Sequence, residues 1–281
     1  VSEPAAAPEP AASPEPAGEA RLVAIDVDGT VMDATGRISP TVVEAIAAVR
    51  AQGHHVVLAT GRSVISAAPI AGMLGLTRGP AVCSNGAVEV ELDPGAPRGY
   101  TITDMVTFDP GPALRLIRAE LPDAMYAVED VGRGFFVSKA FPAGEIEGVH
   151  TVVDFDHLCT LPATRVVIRS PEHTEADFHA MVERIGLHEV SYSVGWVAWL
   201  DLNPDGVTKA SALERVRRRL GVAPEATVAI GDGRNDLEML RWAGRGVAMG
   251  NADEVTRGVA DEVTGHVEAD GAVTVLRSLI D

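Results

Sequence analysis

Two carboxylates, Asp26 and Asp28, stand two residues apart in "RLVAIDVDGTVMD", directly after four apolar residues. Asp is a poor strand former and like charges repel, so the pair is not there to make a strand. A second acidic group, Asp232, Asn235 and Asp236, closes another apolar run in "TVAIGDGRND". Between the two lie Thr60, Gly61 and Arg62 in "ATGRS", Asn85 in "VCSNGA" and Lys209 in "DLNPDGVTKASAL"; Asn251 follows in "GVAMGNA". Unit charges ~4 Å apart repel by about 4 kcal/mol at an effective dielectric of 20, so such a cluster needs positive charge within it. Hard oxygen ligands with no His or Cys nearby point to Mg2+ rather than zinc, and Lys209 adds a fixed cation. An acidic cluster holding Mg2+ beside a lysine, a hydroxyl and amide donors is a site for a phosphate. The nucleotide-loop patterns are absent: there is no GxxxxGK[ST], and the first strand ends in "DVDGT" rather than GxGxxG.

These residues converge only if the elements before them lie side by side. From Arg21, short apolar runs alternate with helical patterns: "RLVAI", then "SPTVVEAIAAVRAQG", "HVVLA", "SVISAAPIAGMLG" and "PAVC". Ser39 suits the cap of the first helix, Pro40 its first turn and Gly53 its end. The pattern returns in "KASALERVRRRLG", "TVAI", "LEMLRWAG" and "GVAM". Alternation of this kind predicts an α/β, doubly wound parallel-sheet (Rossmann-like) core. In a parallel sheet every strand's carboxyl end lies along one edge, where ligands bind, and each polar group above closes a strand. The middle of the chain reads differently, as neighbouring strands with two helices, rich in aromatic and β-branched residues. It predicts an inserted α+β cap domain over 87–200, leaving a discontinuous core of 20–86 and 201–281.

Residues 1–19 are rich in Pro, Ala and Glu and read as a disordered tail. The chain of 281 residues carries a formal net charge of −17, so nucleic acid and anionic membranes are repelled and neither is an expected partner. No apolar run approaches the ~18 residues needed to span a bilayer. Cys83 and Cys159 are the only cysteines and form no CxxC, which predicts a reducing, cytoplasmic location. The eight histidines show no ligand spacing. Arg215, Arg217, Arg218 and Arg219 read as a solvated helix face. Trp196, Trp199, Phe135 and Phe136 read as cap core, one of which could line a leaving-group pocket.

In that order, "DVDGT", "TGR", a lone lysine and "GDGRND" resemble the four motifs of the haloacid dehalogenase-like superfamily. "SNGA", "DLNPDGVTKASAL" and "GVAMGNA" are similar to its Cof-like phosphatase branch, whose cap is inserted between the second and third motifs. The resemblance covers about 21–281. It implies a Mg2+-dependent phosphatase that hydrolyses small phosphate monoesters, such as sugar phosphates or phosphorylated cofactors, through an aspartyl-phosphate. By that resemblance Asp26 is the nucleophile. Asp28 binds the metal through its backbone carbonyl, and its side chain protonates the leaving alcohol and then activates water. Asp232 completes the protein's share of the metal shell, while Asp236 orients a metal water or Lys209 from behind. Thr60, the Gly61 amide, Lys209 and Asn235, together with Val27, hold the phosphate. Asn85 and Asn251 read equally as loop structure or substrate contact, and Arg62 as a salt bridge or substrate contact. The implied partner is a small phosphorylated metabolite, with the protein a monomer or small homo-oligomer. Two other readings remain: a sugar phosphomutase of the same superfamily, and a non-catalytic binder of a phosphorylated ligand. The intact Asp26–Asp28 pair argues against the second.

Overall fold

Every apolar run of the core motifs becomes a buried strand. The structure, a computed structural model, describes residues 20–185, 190–195 and 199–280; the expected tail and Trp196 lie outside the described residues. The strands are β1 (Leu22–Ile25), β2 (His55–Ala59), β3 (Gly79–Cys83), β4 (Val88–Leu92), β5 (Tyr100–Met105), β6 (Met125–Asp130), β7 (Gly134–Val137), β8 (Val149–Val152), β9 (Val166–Arg169), β10 (Val190–Gly195), β11 (Trp199–Pro204), β12 (Thr227–Gly231), β13 (Arg245–Ala248) and β14 (Glu262–Val263). The helices are α1 (Pro40–Ala51), α2 (Val64–Met73), α3 (Gly111–Glu120), α4 (Phe155–Leu158), α5 (Glu175–Ile185), α6 (Lys209–Leu220), α7 (Leu237–Trp242), α8 (Glu254–Val259) and α9 (Gly271–Arg277).

The larger sheet has the order β14-β13-β12-β1-β2-β3-β4-β5. Its strands from β14 to β3 are parallel, and β4 and β5 continue it as an antiparallel hairpin. All four residues of β1 are buried, and its side chains alternate between two cores. Val23 and Ile25 pack with α1, α2 and α9, whereas Leu22 and Ala24 pack with α6 and α7. Leu22, Val23 and Ile25 each contribute about 1.5–3 kcal/mol of apolar burial. Helix α1 begins as its sequence predicts, with the Ser39 hydroxyl accepting from the Thr41 amide at 3.3 Å and Pro40 in its first turn. The chain moves outward from β1 through β2 and β3 in one direction, and from β12 through β13 and β14 in the other. The crevice between β1 and β12 is therefore the topological switch point, where ligands bind in open α/β sheets.

The smaller sheet has the order β10-β11-β9-β6-β7-β8 and is antiparallel except between β7 and β8. One face is covered by α3, α4 and α5 around Tyr126, Val128, Ile168, Leu200 and Leu202. The other carries Ala127, Phe135, Val137, Val167 and, partly buried, Trp199, and it faces the larger domain.

The inserted cap is shorter at its start than the 87–200 read from sequence. Strands β4 and β5 hydrogen-bond onto β3, and Val88, Val90, Leu92 and Tyr100 join the core, so the core sheet keeps the chain to residue 105. Strand β11 carries the smaller sheet on to Pro204. A hairpin's local pattern does not name the sheet it joins; here long-range contacts decide. Buried Glu89 of β4 accepts from Arg215 Nε at 2.6 Å and Arg219 Nη1 at 3.1 Å, tying the hairpin to α6. The arginine face of α6 is thus an anchor on that side rather than simply solvated. Cys83 and Cys159 are free and buried. Among the described residues no helix is long and apolar enough to cross a membrane.

Candidate active site

Asp26 leaves the end of β1 and Asp232 the end of β12, the two strands that flank the switch point. Their backbones are tied directly, with the Asp26 amide donating to the Ile230 carbonyl at 3.0 Å. Gly29 has a φ of 73°, and a Cβ there would overlap the Asp232 carboxylate, so only glycine fits this turn. Lys209 opens α6, with Thr208 as its cap in a reciprocal pair with Ser211. A cation at a helix start opposes the helix dipole, and this one is held by carboxylates. Lys209 is fully buried, and its Nζ donates to Asp26 Oδ1 and Asp236 Oδ1, each at 2.6 Å. Asp236 uses its other oxygen to accept from the Asp232 and Gly233 amides at 3.0 and 2.9 Å. Both of its oxygens are thus committed to the protein.

One oxygen each from Asp26, Asp232 and Asp236 lies within 4.8 Å of the others. Burial pushes the Asp26 carboxyl well above its ordinary value; Lys209 opposes this, and Asp236 and Asp232 reinforce it. Burial likewise pushes Asp232 up to about 7, with Asp236 adding and Lys209 opposing. Burial would lower the Lys209 ammonium, but Asp236 and Asp26 outweigh it and hold the lysine charged. Three carboxylates thus share one buried ammonium and remain short of positive charge. An all-oxygen donor set with that deficit fits a hard divalent cation.

The deficit has a measurable sign. A carboxyl whose folded pKa is raised stabilises the fold fully below its unfolded value, and that contribution disappears as pH rises through the folded pKa. Asp232 runs from an ordinary 3.8 to about 7. The chelated protein is therefore expected to lose melting temperature between about pH 4 and 7, and added Mg2+ to raise it more at pH 8 than at pH 5. Thermal melts at both pH values check this; equal Mg2+ effects would remove the charge deficit.

The remaining predicted residues gather on the same edge with different partners. Asp28 is exposed and held by Arg62, whose Nε and Nη2 donate to its two oxygens at 2.8 and 2.7 Å. Arg62 Nη1 also lies 3.7 Å from Glu147 of the cap, so this side chain bridges core and cap. Thr60 is buried and its hydroxyl accepts from the Arg62 amide at 3.1 Å, shaping the turn before α2, whose cap position is Ser63. Val27 buries its side chain in the core, which leaves only its main chain for the site. Asn85 accepts from Asn235 Nδ2 at 3.0 Å and donates to Asn203 Oδ1 at 3.1 Å, linking the acidic loop to the cap strand β11. Ser84 and Asn85 hold positive φ of 48° and 54°. Such conformations cost about 1–3 kcal/mol each and persist where surroundings over-determine them, here through the asparagine links. Asn251 Nδ2 donates to the Gly29 carbonyl at 2.8 Å and Asp232 Oδ2 at 3.0 Å, and Thr30 Oγ1 donates to Asp232 Oδ1 at 3.3 Å. Asn251 is thereby loop and site structure at once.

A cavity of about 340 Å3 opens between the domains, lined by Asp26, Asp28, Gly61, Arg62, Asp232 and Asn235 from the core. The cap contributes Phe135 and Trp199, two of the aromatics read as cap core or pocket lining, and residues that sequence reasoning did not place there, above all Arg165, Asp201 and Glu147. A signal existed: in "WLDLNP", Asp201 and Asn203 interrupt an apolar strand at the same alternate positions as Trp199.

Residues 23–93 and 144–276 match the family profile of haloacid dehalogenase-like hydrolases. A phosphoglycolate phosphatase of Natronomonas pharaonis is 31% identical over 90% of this chain and 95% of its own. A pyridoxal phosphate phosphatase of Escherichia coli is 26% identical over 92% of this chain and 98% of its own. Among solved structures, a phosphatase of the haloalkanoate enzyme superfamily from Bacteroides thetaiotaomicron superposes with a TM-score of 0.74 at 28% identity, over 95% of this chain and 98% of that one.

Proposed function

The chain belongs to the haloacid dehalogenase-like hydrolases, and from that premise we propose a Mg2+-dependent phosphatase that hydrolyses small phosphate monoesters through an aspartyl-phosphate at Asp26. The observation that carries this reading is Lys209 buried between Asp26 and Asp236 at 2.6 Å from each, with Asp232 in the same cluster. A lysine so placed keeps Asp26 oriented and gives positive charge to a site that must accept a phosphate.

Asp26 attacks phosphorus, forming an O–P bond as the bond to the leaving oxygen breaks. The leaving alkoxide takes a proton from Asp28. For that, Asp28 takes up a proton as it exchanges its ion pair with Arg62 for contact with the substrate, and Arg62 then pairs with Glu147 of the cap, which its Nη1 already approaches to 3.7 Å. In the second step Asp28 accepts a proton from water, which attacks the phosphoryl group, breaks the bond to Asp26 and frees inorganic phosphate. Lys209, Asn235, Thr60 and the Gly61 amide hold the phosphoryl oxygens, while Asp236 holds Lys209. Asp26, Asp232 and the Asp28 carbonyl are the groups that would hold Mg2+. When bound, the ion supplies positive charge that lets a dianionic phosphate approach the acidic cluster. Relatives that act on phosphoglycolate and pyridoxal phosphate support a small phosphorylated metabolite as the substrate, and the cap, closing over the site, would exclude water and select among such esters.

Phosphate release from an aryl phosphate, followed with Mg2+ and then with excess chelator, tests the reading. Release with Mg2+ and loss of at least about 100-fold on chelation are expected. Equal rates in both would remove the metal, and no release in either would remove the activity. Product analysis with one hexose phosphate separates hydrolysis from a phosphomutase.

A further inference from the structure

The cap side of the cavity carries charged side chains that are paired with one another. Strand alternation puts Trp199 and Asp201 of β11, Phe135 of β7, and Arg165 just before β9 on the cap face that meets the core. Arg165 and Asp201 are both nine-tenths buried. Arg165 Nε donates to Asp201 Oδ1 at 2.8 Å and Nη2 to Oδ2 at 3.1 Å, a two-pronged pair. The Trp199 indole N–H donates to the same Oδ1 at 3.0 Å, and the guanidinium sits 6.0 Å from the indole centre. Asp201 therefore cancels Arg165 and locks its plane.

The other cations around the cavity are spoken for as well. Arg62 pairs with Asp28, Arg234 with Asp253 at 2.7 Å, and Lys209 with Asp26 and Asp236. Of the two cap glutamates in the lining, Glu145 is paired with Arg169 at 3.2 Å, and Glu147 adds negative charge 3.7 Å from Arg62. Among the described residues, no basic side chain lining the cavity lacks a carboxylate partner.

We propose that Asp201, by neutralising Arg165, sets the enzyme's specificity for phosphate monoesters with uncharged leaving groups and against those carrying a carboxylate or a second phosphate. This rests on the phosphatase reading and deepens it. A charged leaving group would enter a partly buried space with no free counter-charge, a costly arrangement. A neutral hydroxyl-bearing one finds the guanidinium N–H groups that Asp201 does not use, five being available in all. It also finds the apolar surface of Phe135, Ile146 and Trp199. The preference is opposite to the one that likeness to a phosphoglycolate phosphatase would suggest.

Glycerol 3-phosphate and 3-phosphoglycerate differ in the leaving group by a hydroxymethyl against a carboxylate at nearly equal size. The wild type is expected to show the higher kcat/KM on glycerol 3-phosphate. Asp201→Asn uncovers the Arg165 charge and should shift the ratio toward 3-phosphoglycerate by about 10- to 100-fold, the range of a charge-assisted hydrogen bond. Adding Arg165→Gln to it should return the ratio toward the wild type's. A wild type that prefers 3-phosphoglycerate overturns the proposal whether or not the variant folds, as does an active Asp201→Asn enzyme with an unchanged ratio. Either result leaves the phosphatase reading standing if an aryl phosphate is still hydrolysed. No release from any of the three by wild type overturns both.

Discussion

Asp26→Asn is expected to reduce phosphate release from an aryl phosphate by at least about 10,000-fold, the scale on which removing a covalent nucleophile acts. The melting temperature should stay within about 5 °C of wild type. The amide keeps the shape of the carboxylate, and its oxygen can still accept from Lys209, which also retains Asp236. Folding loses one buried charge from a cluster that holds three carboxylates against one ammonium, so the fold has little reason to suffer. Chemistry loses the atom that attacks. A variant within about tenfold of wild type would show that Asp26 only positions other groups. A variant that unfolds would show instead that its charge is structural, and circular dichroism beside the rate measurement separates these outcomes.

The elements that carry chemistry were readable because each closes a strand of a parallel sheet. Once "RLVAI" and "TVAI" are buried strands, Asp26 and Asp232 must share an edge, and Lys209 at a helix start joins them. The antiparallel parts were harder. Strands β4 and β5 carry the same alternating pattern as the cap strands, and only their pairing with β3 and the Glu89 links to α6 assign them to the core. The Arg165–Asp201 pair on the cap side of the cavity was hidden for the same reason. Asp201 stands on β11 and Arg165 just before β9, and which alternate face they share depends on a register that no single segment encodes. Arg62 shows a third limit. Its place beside Thr60 and Gly61 was visible in sequence, but its partner Asp28 was not, because long side chains choose partners only after the backbone is in place.

Lys209→Met is expected to have the largest effect on stability. Methionine nearly matches lysine's volume, so little cavity opens and the loss reports the charge. Removing one partner of a buried ion pair typically costs about 3–5 kcal/mol, because the groups left behind are buried without compensation. Here three are left, two of which the lysine touches at 2.6 Å. In a chain of this size each kcal/mol moves the melting temperature by about 2–4 °C, so a fall of about 6–20 °C is expected in chelated protein. The loss should be smaller at pH 5 than at pH 8, since protonating Asp26 and Asp232 relieves the repulsion the lysine opposes. Combining Lys209→Met with Asp236→Asn removes both ends of one pair, while the asparagine oxygen can still accept from the Asp232 and Gly233 amides. The double variant should regain a large part of the lost stability and none of the activity. If Lys209→Met melts with wild type at pH 8, the lysine is not what holds the acidic cluster together, and its place between the two carboxylates would need another explanation.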